Sequence, residues 1–150
     1  QEPILILSAD KDFIQLHRYP LLKQYDPIRN KWIENSDPVG FLQEHIIRGD
    51  RSDGIPNILT CDDAIVTGKP QKKMSKEKIS SLASMKPEEF TNFIRLRNWK
   101  RNSELIDFTK IPTPVVERII TTFVGSKPNP SVKINYFIDN NIQDLIEEFS

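Results

Sequence analysis

Asp10 and Asp12 directly follow the apolar run at residues 4–7, and this arrangement limits the fold more than any other feature of the sequence. A short continuous apolar run is typical of a strand buried on both faces, as in a parallel sheet. Because side chains two apart on extended backbone point the same way, both carboxylates are predicted at the carboxyl end of this strand. Ligands of open α/β sheets bind at that edge, and carboxylates suit hard cations such as Mg²⁺. The alternative is an Asp turn that caps the next helix.

A second acidic cluster occupies residues 49–57, here called the acidic loop, and contains Asp50 and Asp53. The preceding residues 38–48 carry apolar side chains at helical spacing after an Asp-Pro pair, which is typical of an N-cap and first helical position. Gly49 is where this helix is predicted to end. Taken alone, such a loop is usually a helix-to-helix connection with capping aspartates. Local sequence therefore leaves both an architectural and a functional interpretation open.

Together and in this order, the two acidic clusters resemble the 5′ nuclease (flap endonuclease) superfamily, and most closely its bacteriophage RNase H branch. The Asp-x-Asp-Phe segment and the Gly-Asp-x-x-Asp loop are the most specific motifs. One departure is Gly54, because the family usually has Asn there, and the difference bears on loop geometry. The resemblance extends over nearly the whole chain, through residues 4–16 (ILILSADKDFIQL), 19–33 (YPLLKQYDPIRNKWI), 47–58 and 105–149.

The resemblance implies the C-terminal half of a PIN-like 5′ nuclease. Residues 1–36 would be an α/β remnant, a sheet strand plus a hairpin, and residues 37–150 a mostly α-helical domain with a helix–loop–helix element. Family members also carry an N-terminal half with further strands and metal-binding carboxylates, so residues 4–7 are expected to expose an apolar surface to that half. The chain's own patterns predict hairpin strands at 21–25 and 31–33 and helices at 38–48, 57–67, 76–85, 87–98, 114–123 and 142–149, with a helix or extended arm at 131–139.

The chemistry implied by the resemblance is two-metal phosphodiester hydrolysis with Mg²⁺ or Mn²⁺, with K⁺ as a further ion at the helix–loop–helix. The implied substrates are RNA primers on DNA, nicked duplexes and 5′ flaps, as arise in DNA replication or repair. We predict Asp10, Asp12 and Asp53 as catalytic metal ligands, with Asp50 acting through water or from behind a ligand. His17 and His45 are predicted to be surface or packed residues. The predicted contacts to duplex DNA or an RNA–DNA hybrid are Gly49, Arg51, Ser52, Gly54, Ile55, Asn57, Lys69, Lys72 and Lys73.

Charge is informative through its distribution, because 21 basic and 21 acidic residues give a net charge of zero. Five lysines between residues 69 and 78 follow the acidic loop, and such a cluster either neutralises phosphates or forms a solvated face. For the basic run at 95–101 we favour a solvated helix face with Trp99 in the core. A single cysteine, Cys61, cannot form an internal disulfide and suits a reducing compartment, the cytoplasm of a bacterial host if the protein is phage-encoded. No apolar run approaches the ~20 residues that span a bilayer.

Two other classes of function remain open from the sequence. One is a non-catalytic duplex-binding module that keeps the helix–loop–helix and the lysines. The other is a structural or interaction domain whose acidic loops only cap helices. The chain alone is expected to lack nuclease activity, because two or three carboxylates cannot hold two Mg²⁺ ions in the required geometry.

Overall fold

A small sheet followed by packed helices makes up the computed structural model, which describes residues 2–90 and 92–126. The chain divides into two compact units, Gln1–Ile111 and Pro112–Ser150. In the second unit the described element is α4 (Thr113–Gly125). No described helix is long and apolar enough to cross a membrane. The first unit contains β1 (Ile4–Leu7), a 3₁₀ helix (Lys11–Arg18), β2 (Leu22–Asp26), β3 (Lys31–Ile33), α1 (Pro38–Arg48), α2 (Lys76–Ala83), a 3₁₀ turn (Pro87–Glu89), α3 (Phe93–Ile106) and a 3₁₀ turn (Phe108–Lys110).

The sheet has the order β1-β2-β3, with β1 parallel to β2 and β2 antiparallel to β3. Across the predicted hairpin, Tyr25 lies opposite Trp32 with ring centroids 5.2 Å apart in an edge-to-face contact. Among the described residues β1 has a neighbour on one edge only, so Ile4 is 56% exposed and Leu5 43%. An apolar strand with one open edge is a surface that pairs readily with another strand.

The core of the first unit consists of two clusters that share α1. Leu42 and Ile46 pack with Ile55 and Ile106 in one cluster, while Ile47 belongs to the other. The second cluster also holds Ile58, Leu82 and Phe90, and Trp99 contacts both. Consecutive residues at the end of α1 thus face two different groups of side chains, which anchors the helix end where the acidic loop begins.

The last carbonyls of α1 take their hydrogen bonds from outside the helix. A helix leaves its final carbonyls without intrahelical partners, and burying them unpaired is costly. Asn102 Nδ2 donates to the Ile46 carbonyl at 2.8 Å, and the Ile58 N–H donates to the Ile47 carbonyl at 3.1 Å. Asn102 Nδ2 also donates to the Pro56 carbonyl at 2.9 Å. One fully buried side chain on α3 therefore holds both ends of the acidic loop.

Two predicted helices differ in the structure. Residues 57–67 form successive turns, because Asn98 Nδ2 on α3 donates to the carbonyls of Ile58 and Thr60 and so occupies acceptors that a helix would use. The helix predicted at 87–98 is a 3₁₀ turn followed by a fresh start at α3, where Asn92 caps the Arg95 N–H. The helix predicted at 76–85 is α2 and ends two residues earlier, and the one at 114–123 is α4. The predictions at 131–139 and 142–149 lie outside the described residues.

The two compact units of the chain meet after Ile111, and the domain boundary expected after residue 36 stays a prediction. Gln15, on the 3₁₀ helix after β1, is buried and donates to the Ile106 carbonyl at 3.1 Å. Its Oε1 accepts the Phe108 N–H at 2.9 Å. Contacts of this kind join the sheet portion to the end of α3, so the first unit includes both.

Candidate metal centre and nucleic-acid interface

Asp10 and Asp12 lie directly beyond β1, and Asp10 serves partly as a cap. Its Oδ1 accepts the Asp12 N–H at 2.9 Å, which starts the 3₁₀ helix. The capping interpretation is therefore correct for Asp10. The carboxylate of Asp12 instead faces His45 on α1. The segment is held by Gln24 on β2, which is fully buried and donates to the carbonyls of Ser8 at 2.8 Å and Asp10 at 2.6 Å. Gln24 is a positioning residue that the sequence did not reveal.

The acidic loop is a tight turn built around Asp50 and two glycines. Gly49 has φ of 69°, and a Cβ there would meet the Ile55 carbonyl oxygen and lie 2.7 Å from the Pro56 carbonyl. Only glycine fits such a position. Asp50 Oδ1 accepts hydrogen bonds from the Ser52 N–H at 2.8 Å and from the Ser52 hydroxyl. Gly54 has φ of 77° with open space around it, a conformation that Asn also tolerates, so the departure from the family pattern keeps the loop geometry.

The two acidic clusters, about forty residues apart in sequence, converge on His45. His45 Nε2 lies 3.1 Å from Asp50 Oδ2, and Nδ1 lies 3.4 Å from Asp12 Oδ1. One ligand atom from each of these three residues lies within 4.8 Å of the others. The imidazole is almost completely buried, whereas both carboxylates are about one quarter exposed. Such a mixed group is open to solvent on its acidic side and has the composition of a metal centre.

Charge accumulates around Asp12. Burial raises the pKa of Asp12, the His45 charge opposes that rise, and the nearby carboxylates of Asp10, Asp50 and Asp53 raise the pKa further. All four predicted carboxylates are thus close enough to interact. For Asp50 the hydrogen bonds from Ser52 outweigh burial and lower the pKa. Burial and the neighbouring carboxylates disfavour the ionised form of Asp12, and a bound cation would stabilise that form.

The predicted nucleic-acid contacts separate into two groups. Ile55 belongs to the core, and Asn57 is buried with its side chain bonded to the Lys72 carbonyl and the Thr60 hydroxyl, so neither side chain is available to a duplex. Backbone N–H groups of the loop bond within the protein at six residues, namely Gly49, Ser52, Asp53, Gly54, Ile55 and Asn57. Contact of this loop with a duplex stays a prediction.

Among the predicted contacts, Arg51, Lys72 and Lys73 are exposed cations, and none of the three forms an ion pair within residues 2–90 and 92–126. Lys69 differs, because its Nζ lies 2.9 Å from Asp63 Oδ2. The lysine segment is tied to the loop, since the Lys72 N–H donates to the Thr60 hydroxyl at 3.0 Å and its carbonyl accepts from Asn57. These hydrogen bonds hold the backbone of the lysine segment against the end of the acidic loop.

Several functional candidates escaped the sequence analysis. His45 was predicted to be a surface or packed residue, although its position five residues before Asp50 was a signal that could have linked it to the loop. The run at 95–101 is less solvated than expected, because Arg97 and Arg101 both pair with Asp62. Arg101 Nη2 also donates to the Pro56 carbonyl at 2.9 Å and so supports the acidic loop. Trp99 packs in the core as expected.

The sequence of this chain is similar to a known protein family and to a known phage protein. The sequence profile described as "T4 RNase H, C terminal" matches residues 40–150, well over half of the chain. A protein of Enterobacteria phage T4 named "Ribonuclease H" is 29% identical over 158 aligned positions, which cover 97% of this chain and 52% of the phage protein. The chain therefore spans about half the length of that relative. It belongs to the T4 RNase H C-terminal family, the phage RNase H branch of the 5′ nuclease superfamily that its two acidic motifs indicated.

Proposed function

We propose that this chain is the C-terminal part of a metal-dependent 5′–3′ exonuclease or flap endonuclease of the RNase H type. It would act in the host cytoplasm and remove RNA primers or 5′ flaps during DNA replication or repair. The observation that carries the proposal is the convergence of Asp12 and Asp50, from clusters about forty residues apart, on the two ring nitrogens of the buried His45. A loop that only capped its helix would not need a second carboxylate cluster against it.

The four carboxylates would have two kinds of role. Asp10, Asp12 and Asp53 would hold divalent ions, Mg²⁺ or Mn²⁺, through their free carboxylate oxygens. Asp50 would support the site without contacting an ion, because Ser52 hydrogen-bonds to its Oδ1 and His45 lies at hydrogen-bond distance from its Oδ2. Two such ions, when bound, activate a water molecule and stabilise the leaving oxygen of a phosphodiester. The K⁺ ion at the helix–loop–helix stays a prediction.

The open edge of β1 supports a partner for this chain. Ile4, Leu5 and Leu7 are at least 40% exposed on a strand that pairs only with β2 among the described residues. Parallel strands are normally covered and multi-stranded, so this edge favours further strands from the N-terminal half of the nuclease, on the same polypeptide or a separate one. That half would also add the carboxylates needed to complete a two-metal site.

The duplex would lie along the acidic loop and the lysine segment. Arg51 follows Asp50 in the loop, Lys72 is tied to Asn57 through its backbone, and Arg51, Lys72 and Lys73 are exposed, so they would contact phosphates rather than base edges. Binding through phosphates is independent of sequence and weakens steeply with salt. This contact would hold a 5′-ended structure with its scissile bond near the carboxylates.

Cleavage of a labelled 5′-flap substrate tests the catalytic part of the proposal. The chain alone should cleave negligibly, and the chain together with its N-terminal half should cleave when Mg²⁺ or Mn²⁺ is present. In the complete protein, Asp10→Asn should abolish cleavage and keep substrate binding, whereas Glu34→Gln, a change at an exposed acidic residue outside the site, should have no effect. Full activity of Asp10→Asn would refute the proposal.

Duplex affinity tests the second part and separates it from the non-catalytic alternative. Lys72→Glu/Lys73→Glu should weaken binding to two unrelated duplexes equally and reduce the salt slope by about 2. The charge-matched control is Lys31→Glu/Lys110→Glu, at exposed residues outside the lysine segment. Equal affinity of both variants and the wild type would exclude this interface. Duplex binding by a complete protein that never cleaves would instead indicate a non-catalytic binding module.

A further inference from the structure

His45 is a buried imidazole whose two nitrogens face two different carboxylates. It lies on the last turn of α1, and its ring packs edge-to-face on Phe41 at a centroid distance of 5.8 Å. That packing and the core around α1 restrict rotation of the ring. The side chain is 7% exposed, whereas the carboxylates of Asp12 and Asp50 that face it are each 24% exposed.

The two nitrogens make different contacts. Nε2 lies 3.1 Å from Asp50 Oδ2, at hydrogen-bond distance, and Asp50 is itself held by Ser52. Nδ1 lies 3.4 Å from Asp12 Oδ1, longer than the roughly 2.7–2.9 Å of a charge-assisted hydrogen bond. Two ligands bound at about 2.1 Å to one ion at a tetrahedral angle are separated by about 3.4 Å. The Nδ1–Oδ1 gap is therefore suited to an ion shared by the two atoms.

We propose that His45 Nδ1 is a metal ligand, sharing an ion with Asp12 Oδ1, while Asp50 holds the Nε2–H. The inference rests on the proposed function, because it concerns the ion at that same site. A carboxylate behind the metal-binding histidine is a common arrangement, since it sets the tautomer and the orientation of the ring. It also gives Asp50 a role without requiring it to contact the ion.

A nitrogen ligand changes which ions the site prefers. Oxygen-only sites suit Mg²⁺ and Ca²⁺, whereas imidazole favours Zn²⁺ and other later transition ions. The site should therefore bind Zn²⁺ and Co²⁺ more tightly than Mg²⁺, with Mn²⁺ between them. In the competing interpretation, the imidazole carries a proton on both nitrogens and bridges the two carboxylates. Added metal ions would then leave both contacts of the ring intact. The two interpretations differ in whether an ion contacts the ring.

Nitrogen NMR of the histidine side chains decides between these interpretations without relying on activity. The chain has two histidines, so ¹⁵N-histidine labelling gives a simple spectrum, and His17, whose Nε2 lies 3.0 Å from Gln24 Oε1, is an internal control. The probe is Zn²⁺ added to the untagged chain at constant pH, in a Cys61→Ser background that removes the exposed thiol. The expected result is a large shift of His45 Nδ1 alone, with Nε2 remaining protonated and His17 unmoved.

Calorimetry with Zn²⁺ and Mg²⁺ on His45→Gln gives a second measurement. Zn²⁺ affinity should fall at least about tenfold while Mg²⁺ affinity changes little, and His17→Gln should alter neither. Zn²⁺ binding that leaves both His45 nitrogens unmoved would overturn the proposal and keep a carboxylate site. No binding of Zn²⁺, Mn²⁺ or Mg²⁺ to the wild-type chain would overturn the metal site itself, so the two failures are distinguishable. The NMR result stands even if His45→Gln does not fold.

Discussion

Replacing Asn102 by Ala should destabilise the first unit strongly, although the side chain touches no predicted ligand. Asn102 is fully buried, and its amide donates to the Ile46 and Pro56 carbonyls at 2.8 and 2.9 Å. These carbonyls lie on either side of the acidic loop. The substitution removes both hydrogen bonds at once and leaves the loop ends without their common anchor.

The magnitude follows from what each carbonyl retains. The Ile46 carbonyl loses the side-chain donor seen among the described residues, at a cost of about 1–3 kcal/mol. The Pro56 carbonyl keeps Arg101 Nη2, so the loss there is only about 0.5–1.5 kcal/mol. Alanine is the better helix former and offsets roughly 0.5 kcal/mol. The free energy of unfolding should therefore fall by about 1–4 kcal/mol.

Urea unfolding followed by circular dichroism measures this change. The midpoint should fall by roughly 0.5–2 M, because a loss of about 1–4 kcal/mol is divided by a slope of about 2 kcal/mol per molar urea, typical of small proteins. Two controls isolate the cause: Glu104→Ala tests an exposed site on the same helix, and Asn102→Leu keeps the volume but removes the donors. Stability of Asn102→Leu equal to that of the wild type would refute the hydrogen-bond explanation, as would an Asn102→Ala midpoint within about 0.3 M of Glu104→Ala.

Three further predictions follow from the site and the sheet. Asp12→Asn should raise the thermal midpoint of the metal-free chain at neutral pH and remove most of the further rise that Mn²⁺ causes. Burial and three carboxylates raise the Asp12 pKa against the opposing His45 charge, so the ionised carboxylate lowers stability above that raised pKa. An unchanged effect of Mn²⁺ on the midpoint of the variant would contradict this reasoning. Asp26 is buried, which pushes its pKa up, but hydrogen bonds from Arg29 and Ile28 outweigh burial and lower it. Its stabilisation is therefore present above pH 3.8 and lost as pH falls through the lower folded-state pKa, so the stability difference between wild type and Asp26→Asn should shrink over that range in acid-unfolding curves. Gly49→Ala should cost about 2 kcal/mol or more and exceed Gly54→Ala, because both have positive φ but only Gly49 would bring a Cβ against backbone; equal losses in urea melts would show that the contact is relieved.

The sequence alone determined the local elements that carry the chemistry. The apolar run of β1, the hairpin and α1 with its cap and terminal glycine follow from patterns within a few residues. The positions of Asp10, Asp12, Asp50 and Asp53 relative to these elements follow too, because side-chain direction is tied to secondary structure. These same residues carried the resemblance to the phage RNase H branch.

Only the tertiary structure decided how buried polar groups find partners far along the chain. Asn98 and Asn102 on α3 bond backbone carbonyls about forty to fifty-five residues earlier, and this turns residues 57–67 from a predicted helix into turns. The same packing brings His45 between Asp12 and Asp50, and it keeps Ile55 and Asn57 inside. No periodicity encodes such pairs, because a buried donor or acceptor must be satisfied by whichever group the folded core brings within reach.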